Sequence, residues 1–104
     1  MPKGLRSEVS IERDVVAKAF RELGVPSFKL SGPGHRGAPD RLFLLGSGEV
    51  IFVEFKRPGG KTTRLQDHIH HQLRDLGYHV EVCDSVDEAM NHIQYSTGKA
   101  AWRG

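Results

Sequence analysis

The chain has 104 residues, of which 27% are charged and 38% hydrophobic, and a net charge of only +2. That length predicts one domain spanning 1–104 whose core buries roughly 60–65% of the unfolded surface. The single cysteine, Cys83, excludes an internal disulfide and a metal-binding cysteine cluster. No apolar run approaches the ~20 residues of a membrane span, and Met1 to Ser10 lacks a signal-peptide core, so a cytoplasmic protein is expected.

The first periodic segment runs from Glu8 to Leu23, where Ile11, Val15, Val16, Ala19, Phe20 and Leu23 recur at helical spacing before Gly24. Val25 to Leu30 reads as a short strand softened by Pro26, and Ser31 to Pro39 as a Gly/Pro loop. Arg41 to Leu45 and Glu49 to Lys56 are strands joined by the turn Gly46-Ser47-Gly48, a hairpin. A second Gly/Pro loop, Arg57 to Lys61, leads to a helix over Arg64–Leu76 whose expected inner face is Leu65, Ile69, Leu73 and Leu76. Tyr78 to Cys83 is another strand, and Ser85-Val86-Asp87-Glu88 is a capping box opening a helix through about Ile93. From Ser96 onward periodicity is lost and a loose tail is expected, leaving a core at about 8–95. The order α-β-β-β-α-β-α predicts an α/β fold, a mixed sheet flanked by helices.

Two glycine-rich stretches imitate nucleotide-binding motifs. Gly32-Pro33-Gly34-His35-Arg36-Gly37 fits G-x-G-x-x-G, but Ala38-Pro39-Asp40 leads into a strand where that motif must open a helix. Gly60-Lys61-Thr62 resembles the end of a phosphate-binding loop, yet Phe55 stands where its first glycine belongs. No nucleotide cofactor is expected. Both loops suit close approach to a nucleic-acid backbone instead.

Three acidic residues stand in unusual places. Alternation along the hairpin's second strand puts Glu54 and Lys56 on one face with Val50 and Phe52, and Ile51, Val53 and Phe55 on the other. A carboxylate in the middle of such a strand costs several kcal/mol unless paired or metal-bound; an ion pair with Lys56 is the ordinary explanation. Asp40, at the start of the partner strand, falls level with Glu54 and could equally be a turn aspartate. Glu12 lies on the apolar face of the first helix, or else simply in its first turn. Taken together, the three supply hard oxygen ligands suited to Mg²⁺ or Mn²⁺, and Lys56 a compact positive charge. That is the equipment of phosphodiester hydrolysis. The charge distribution agrees: residues 1–64 hold 12 Lys/Arg against 7 Asp/Glu, residues 65–104 only 3 against 6.

Pro39-Asp40 followed by Glu54-Phe55-Lys56 in a hairpin resembles the PD-(D/E)XK nuclease signature. A leading helix with Glu12, the loop Gly37-Ala38-Pro39-Asp40, then Val53-Glu54-Phe55-Lys56 and a downstream Gln66 resemble one branch more closely, the VRR-NUC domain. The resemblance covers about residues 8–95. It implies a restriction-endonuclease-like core and a structure-selective, metal-dependent DNA endonuclease. Glu12, Asp40, Glu54 and the Val53 carbonyl would bind the ions, Lys56 would be catalytic and Gln66 would position the site. Short stand-alone members, found in phages and prophages, resemble homodimeric Holliday-junction resolvases, which implies a homodimer acting on branched DNA in the bacterial or phage-infected host cytoplasm. Gln66 also closes the capping box Thr63-Arg64-Leu65-Gln66, and the two roles are compatible.

Arg36, Arg41, Arg57, Lys61 and Arg64 flank the site and suit phosphate contacts, or form a solvated basic rim. His35 reads as a bystander. His68, His70 and His71 read as solvated surface or dimer contact, because no third ligand joins His68 and His71. Trp102 in the tail could meet a partner subunit or a base. The competing functions are a flap or nicking nuclease on duplex DNA and a non-catalytic DNA-binding module with the same fold. A lost acidic ligand would identify the latter, and none is missing.

Overall fold

The second strand of the hairpin, Val50–Phe55, organises the molecule in the computed structural model, which describes residues 6–30, 32, 34 and 36–101, with side chains to Ser96. His35 and Trp102 lie outside the described residues. In chain order the elements are α1 (Glu8–Leu23), β1 (Ser27–Lys29), β2 (Arg41–Leu44), a short 3-10 turn (Gly46–Gly48), β3 (Val50–Phe55), α2 (Arg64–Asp75), β4 (His79–Cys83) and α3 (Val86–Ala101). They form a sheet in the order β1-β2-β3-β4, antiparallel except for the parallel β3–β4 pair. This is the mixed α/β sheet expected from the element order.

Each boundary has a local cause. Ser7 caps α1 by accepting the Ser10 amide at 3.0 Å, and Gly24 ends it in the left-handed conformation, φ 67°. β1 is shorter than the expected strand because Pro26 has no amide to donate. Its carbonyl still accepts the Leu44 amide at 2.9 Å, so the chain stays aligned with β2.

One face of the sheet is the core. Ile51, Val53 and Phe55 of β3, Phe43 of β2 and Cys83 of β4 are fully buried against Ile11, Val15 and Ala19 of α1 and Ala89 and Ile93 of α3. Phe43 and Phe55 meet edge to face with centroids 6.5 Å apart. Burial pushes the Cys83 thiol up to about 12, so it packs as a small hydrophobe. Phe20, read from spacing as part of this face, is 62% exposed.

The other face is thinly covered. α2 packs on β4. Its expected inner stripe is largely outside: Leu65 is 43% and Leu76 74% exposed, and Ile69 and Leu73 are half-buried. The residue of α2 that is buried is His70. Helical spacing shows which apolar residues share a stripe, but the neighbouring strand β3 presents Glu54 there, and the helix turns a polar line inward. A second difference lies at the C-terminal end. α3 continues to Ala101 where a loose tail was expected, and Ser96 is 5% exposed within it. The weak helix formers Ser96, Thr97 and Gly98 hide the continuation in sequence, and burial of Ser96 against β4 favours it. Among the described residues, no helix is long and apolar enough to cross a membrane.

Candidate active site

The register of the hairpin brings the first carboxylates together. Arg41 pairs with Val53 and Leu42 with Phe52, so Asp40, one step before β2, stands opposite Glu54. Its Oδ2 accepts the Phe55 amide at 2.7 Å, which fixes the carboxylate to the backbone beside Glu54. The preceding loop is clamped onto α2. Gly37 has φ +82°, and a Cβ there would lie 2.8 Å from Leu65 Cγ and 3.2 Å from the Leu65 carbonyl oxygen. Pro39 is fully buried. The same short segment therefore places Asp40 and holds the start of the helix that carries Gln66.

Glu54 is 2% and Lys56 8% exposed, side by side on the face away from the core, with Nζ 3.6 Å from Glu54 Oε2. That oxygen also accepts the Gln66 Nε2–H at 3.0 Å. The same Gln66 side chain accepts the Thr63 amide through Oε1 at 2.9 Å, while Thr63 Oγ1 accepts the Gln66 amide at 3.1 Å. One amide thus closes the helix cap and holds the carboxylate: its oxygen serves the first task, its nitrogen the second.

One turn further along α2 stands His70, 1% exposed, with Nε2 3.9 Å from Glu54 Oε1. The expectation of a solvated His70 is corrected here: it belongs to the site, whereas His68 and His71 are exposed. The available signal was the i, i+4 spacing of Gln66 and His70, which places both on one helix face. Glu54 Oε1 and His70 Nε2 are both buried without a hydrogen-bond partner among the described residues. Such orphaned atoms are rare in native interiors.

The charges at this cluster are under strain. Burial, then repulsion from Asp40, pushes the Glu54 carboxyl up to about 7 against the pull of Lys56. Burial also raises Asp40, partly offset by the Phe55 amide, with Glu12 adding to the rise. Burial lowers His70, helped by the nearby Arg74 guanidinium. Both members of the Glu54–His70 pair are thus driven towards their neutral forms, and their approach is not an ion pair.

Glu12 is 9% exposed and differently placed. Its Oε2 accepts from Lys29 Nζ at 2.8 Å and Arg41 Nε at 2.6 Å, two cations that the β1–β2 register sets side by side. Arg41, expected at the phosphate-facing rim, is therefore committed to Glu12, with a further contact to Ser27 Oγ at 3.3 Å. Lys29 escaped notice because the pairing of β1 with β2 is not readable from local spacing. Arg36, Arg57, Lys61 and Arg64, which flank the site residues in sequence, are exposed. Val53 lies mid-strand between Arg41 of β2 and Glu81 of β4, its side chain in the core.

The mixed sheet, with an aspartate level with a buried Glu-x-Lys on its hairpin and a helix that reaches back to the glutamate, is a restriction-endonuclease-like fold. Comparisons with known proteins agree. No family model matches the chain. A protein named "Putative nuclease p44", from Acyrthosiphon pisum secondary endosymbiont phage 1, is 46% identical over 80 residues, 77% of this chain and 85% of the relative. A solved structure described as a VRR_NUC domain superposes with a TM-score of 0.72 at 30% identity, over 86% of this chain and 97% of that one. The chain belongs to the VRR-NUC family of nucleases.

Proposed function

We propose that the protein is a divalent-metal-dependent DNA endonuclease, acting as a homodimer in the bacterial or phage-infected host cytoplasm and selective for four-way junctions. The observation that carries the metal-dependent chemistry is the state of Glu54: buried, crowded by Asp40, and left with one oxygen unpartnered among the described residues. A carboxylate so placed fits a hard cation, which would satisfy Oε1 and relieve the repulsion between the two acids. Asp40 and Glu54 would hold Mg²⁺ or Mn²⁺, with Glu12 and the Val53 carbonyl as further ligands. When bound, such an ion neutralises phosphate charge and makes water acidic enough to yield hydroxide at neutral pH.

The chain's own groups do the rest. Lys56 holds a nearly buried ammonium beside Glu54, where the low local dielectric strengthens its attraction for charge developing on phosphate. Gln66 keeps Glu54 oriented, and the Phe55 amide does the same for Asp40. Arg36, Arg57, Lys61 and Arg64 are exposed and would grip the phosphate backbone without reading bases; Arg41 would join them only by leaving Glu12. The exposed stripe of Leu65 and Leu76, with half-buried Ile69 and Leu73 between them, supports self-association. Two sites related by a two-fold axis would match the paired cuts that resolve a junction.

The test is cleavage of labelled four-way junction, flap and linear duplex DNA with Mg²⁺, Mn²⁺ or EDTA, beside Glu54→Ala. Metal-dependent junction cutting that Glu54→Ala abolishes is the expected result. Cutting of flap or duplex alone removes the junction selectivity, and binding without cutting under every metal removes the endonuclease.

A further inference from the structure

A second group of metal-capable side chains lies on the opposite face of the sheet. β4 runs parallel to β3 with Val53 level with Glu81 and Glu54 level with Val82. Since alternate residues face opposite ways, Glu81 and His79 point to the α3 side while Glu54 points to the α2 side. His92, from α3, reaches the same spot. His79 Nε2 lies 2.6 Å from Glu81 Oε2, and His92 Nε2 lies 3.5 Å from Glu81 Oε1. The ligand-capable atoms of all three are within 4.8 Å of one another.

We propose that His79, Glu81 and His92 form a site for a borderline divalent cation of the zinc class, which ties α3 to the edge strand β4. Zinc bound by imidazole and carboxylate has bonds of about 2.0–2.2 Å in a tetrahedral arrangement, which sets ligand atoms about 3.3 Å apart. The two histidines face Glu81 through different oxygens, and with one of these as ligand the three atoms, now within 4.8 Å of one another, reach that spacing by side-chain adjustment. The donor set distinguishes this site from the carboxylate cluster around Glu54, since imidazole favours zinc, copper or nickel and bare carboxylates favour magnesium or manganese. A metal-bound histidine also needs a partner for its other ring nitrogen, and His79 has one: Ser96 Oγ lies 3.4 Å from Nδ1. The remaining coordination position is open to water, because the three side chains are 28–40% exposed. Tyr78, Tyr95 and Ser96 line a concavity that reaches His79.

None of these residues takes part in the nuclease site, so the proposal stands apart from the proposed activity. Its test uses the full chain carrying Glu54→Gln, stripped with chelator and titrated with Zn²⁺ against a chromophoric indicator. One equivalent is expected to bind and to raise the melting temperature. His92→Ala in the same background is expected to weaken binding at least tenfold and to abolish the thermal shift. Ser96→Ala is expected to weaken it roughly 10–100-fold, as for other outer partners of metal-bound histidine. Co²⁺ in place of Zn²⁺ is expected to give visible d–d bands that His92→Ala removes. Equal Zn²⁺ affinity with and without His92, or no binding by the Glu54→Gln chain, overturns the site.

Discussion

The two faces of β3 show how one strand serves two opposed demands. Ile51, Val53 and Phe55 are fully buried among apolar side chains from α1 and α3, where their contact with water is removed at no electrostatic cost. Glu54 and Lys56 alternate with them and are nearly as buried, yet their surroundings oppose the charge of one of them, and α2 covers them with Gln66 and His70. The core face supplies the stability that the site face consumes. A second contrast separates the acids themselves. Among the described residues, Glu12 rests on two cations, while Glu54 has one ammonium at 3.6 Å, one amide and an oxygen with nothing to bond. The two buried carboxylates are therefore not equivalent, and on the proposed reading Glu54 is the one with room for a cation.

The largest effect expected from breaking this contrast is a crossed pair of substitutions on the one strand. Glu54→Gln should reduce DNA cleavage to the level of metal-free protein while leaving the fold intact. Ile51→Ala should cost about 2–5 kcal/mol of stability while leaving cleavage per folded molecule near normal. Denaturant unfolding and initial cleavage rates measure the two; equal losses of both in either variant would erase the division between faces.

Next in size is the dependence on pH. Glu54 titrates at about 7 when folded against an ordinary 4.5, so between those values the folded protein holds a proton that the unfolded chain has lost. The stabilisation is fully present below 4.5 and is lost as pH rises through 7, by about 3 kcal/mol. Asp40, also raised, acts in the same direction. The melting temperature of metal-free protein should therefore fall from pH 5 to pH 8, on the order of 10 °C more than that of Glu54→Gln. Mg²⁺ should restore more of it at pH 8 than at pH 6. A parallel pH profile for the two proteins would mean that Glu54 ionises freely.

The smallest expected effects concern Gln66. Gln66→Glu keeps an acceptor for the Thr63 amide but removes the donor to Glu54, whereas Gln66→Ala removes both. Both variants should lose cleavage roughly 10–100-fold. Gln66→Ala should also lose about 1 kcal/mol of stability through the cap. If the Glu variant cleaves normally, the amide serves the helix alone.

Local spacing alone determined a good deal of this protein. Alternation along Val50–Phe55 set Glu54 and Lys56 on one face, the Pro39-Asp40 step opened the hairpin's first strand, and the glycines at 24 and 77 ended the helices. The family resemblance rested on the same residues. These features depend on contacts between near neighbours in the chain, which a sequence displays directly. What only the tertiary structure decided were the pairings across long separations. Register between β1 and β2 gave Glu12 two cationic partners, and the thin cover of α2 turned Leu65 and Leu76 outward and His70 inward. The parallel pairing of β4 with β3, together with the full length of α3, brought His79, Glu81 and His92 together. Periodicity tells which side chains share a face; what that face meets depends on how elements far apart in sequence pack, and the burial that shifts Glu54 exists only once they have done so.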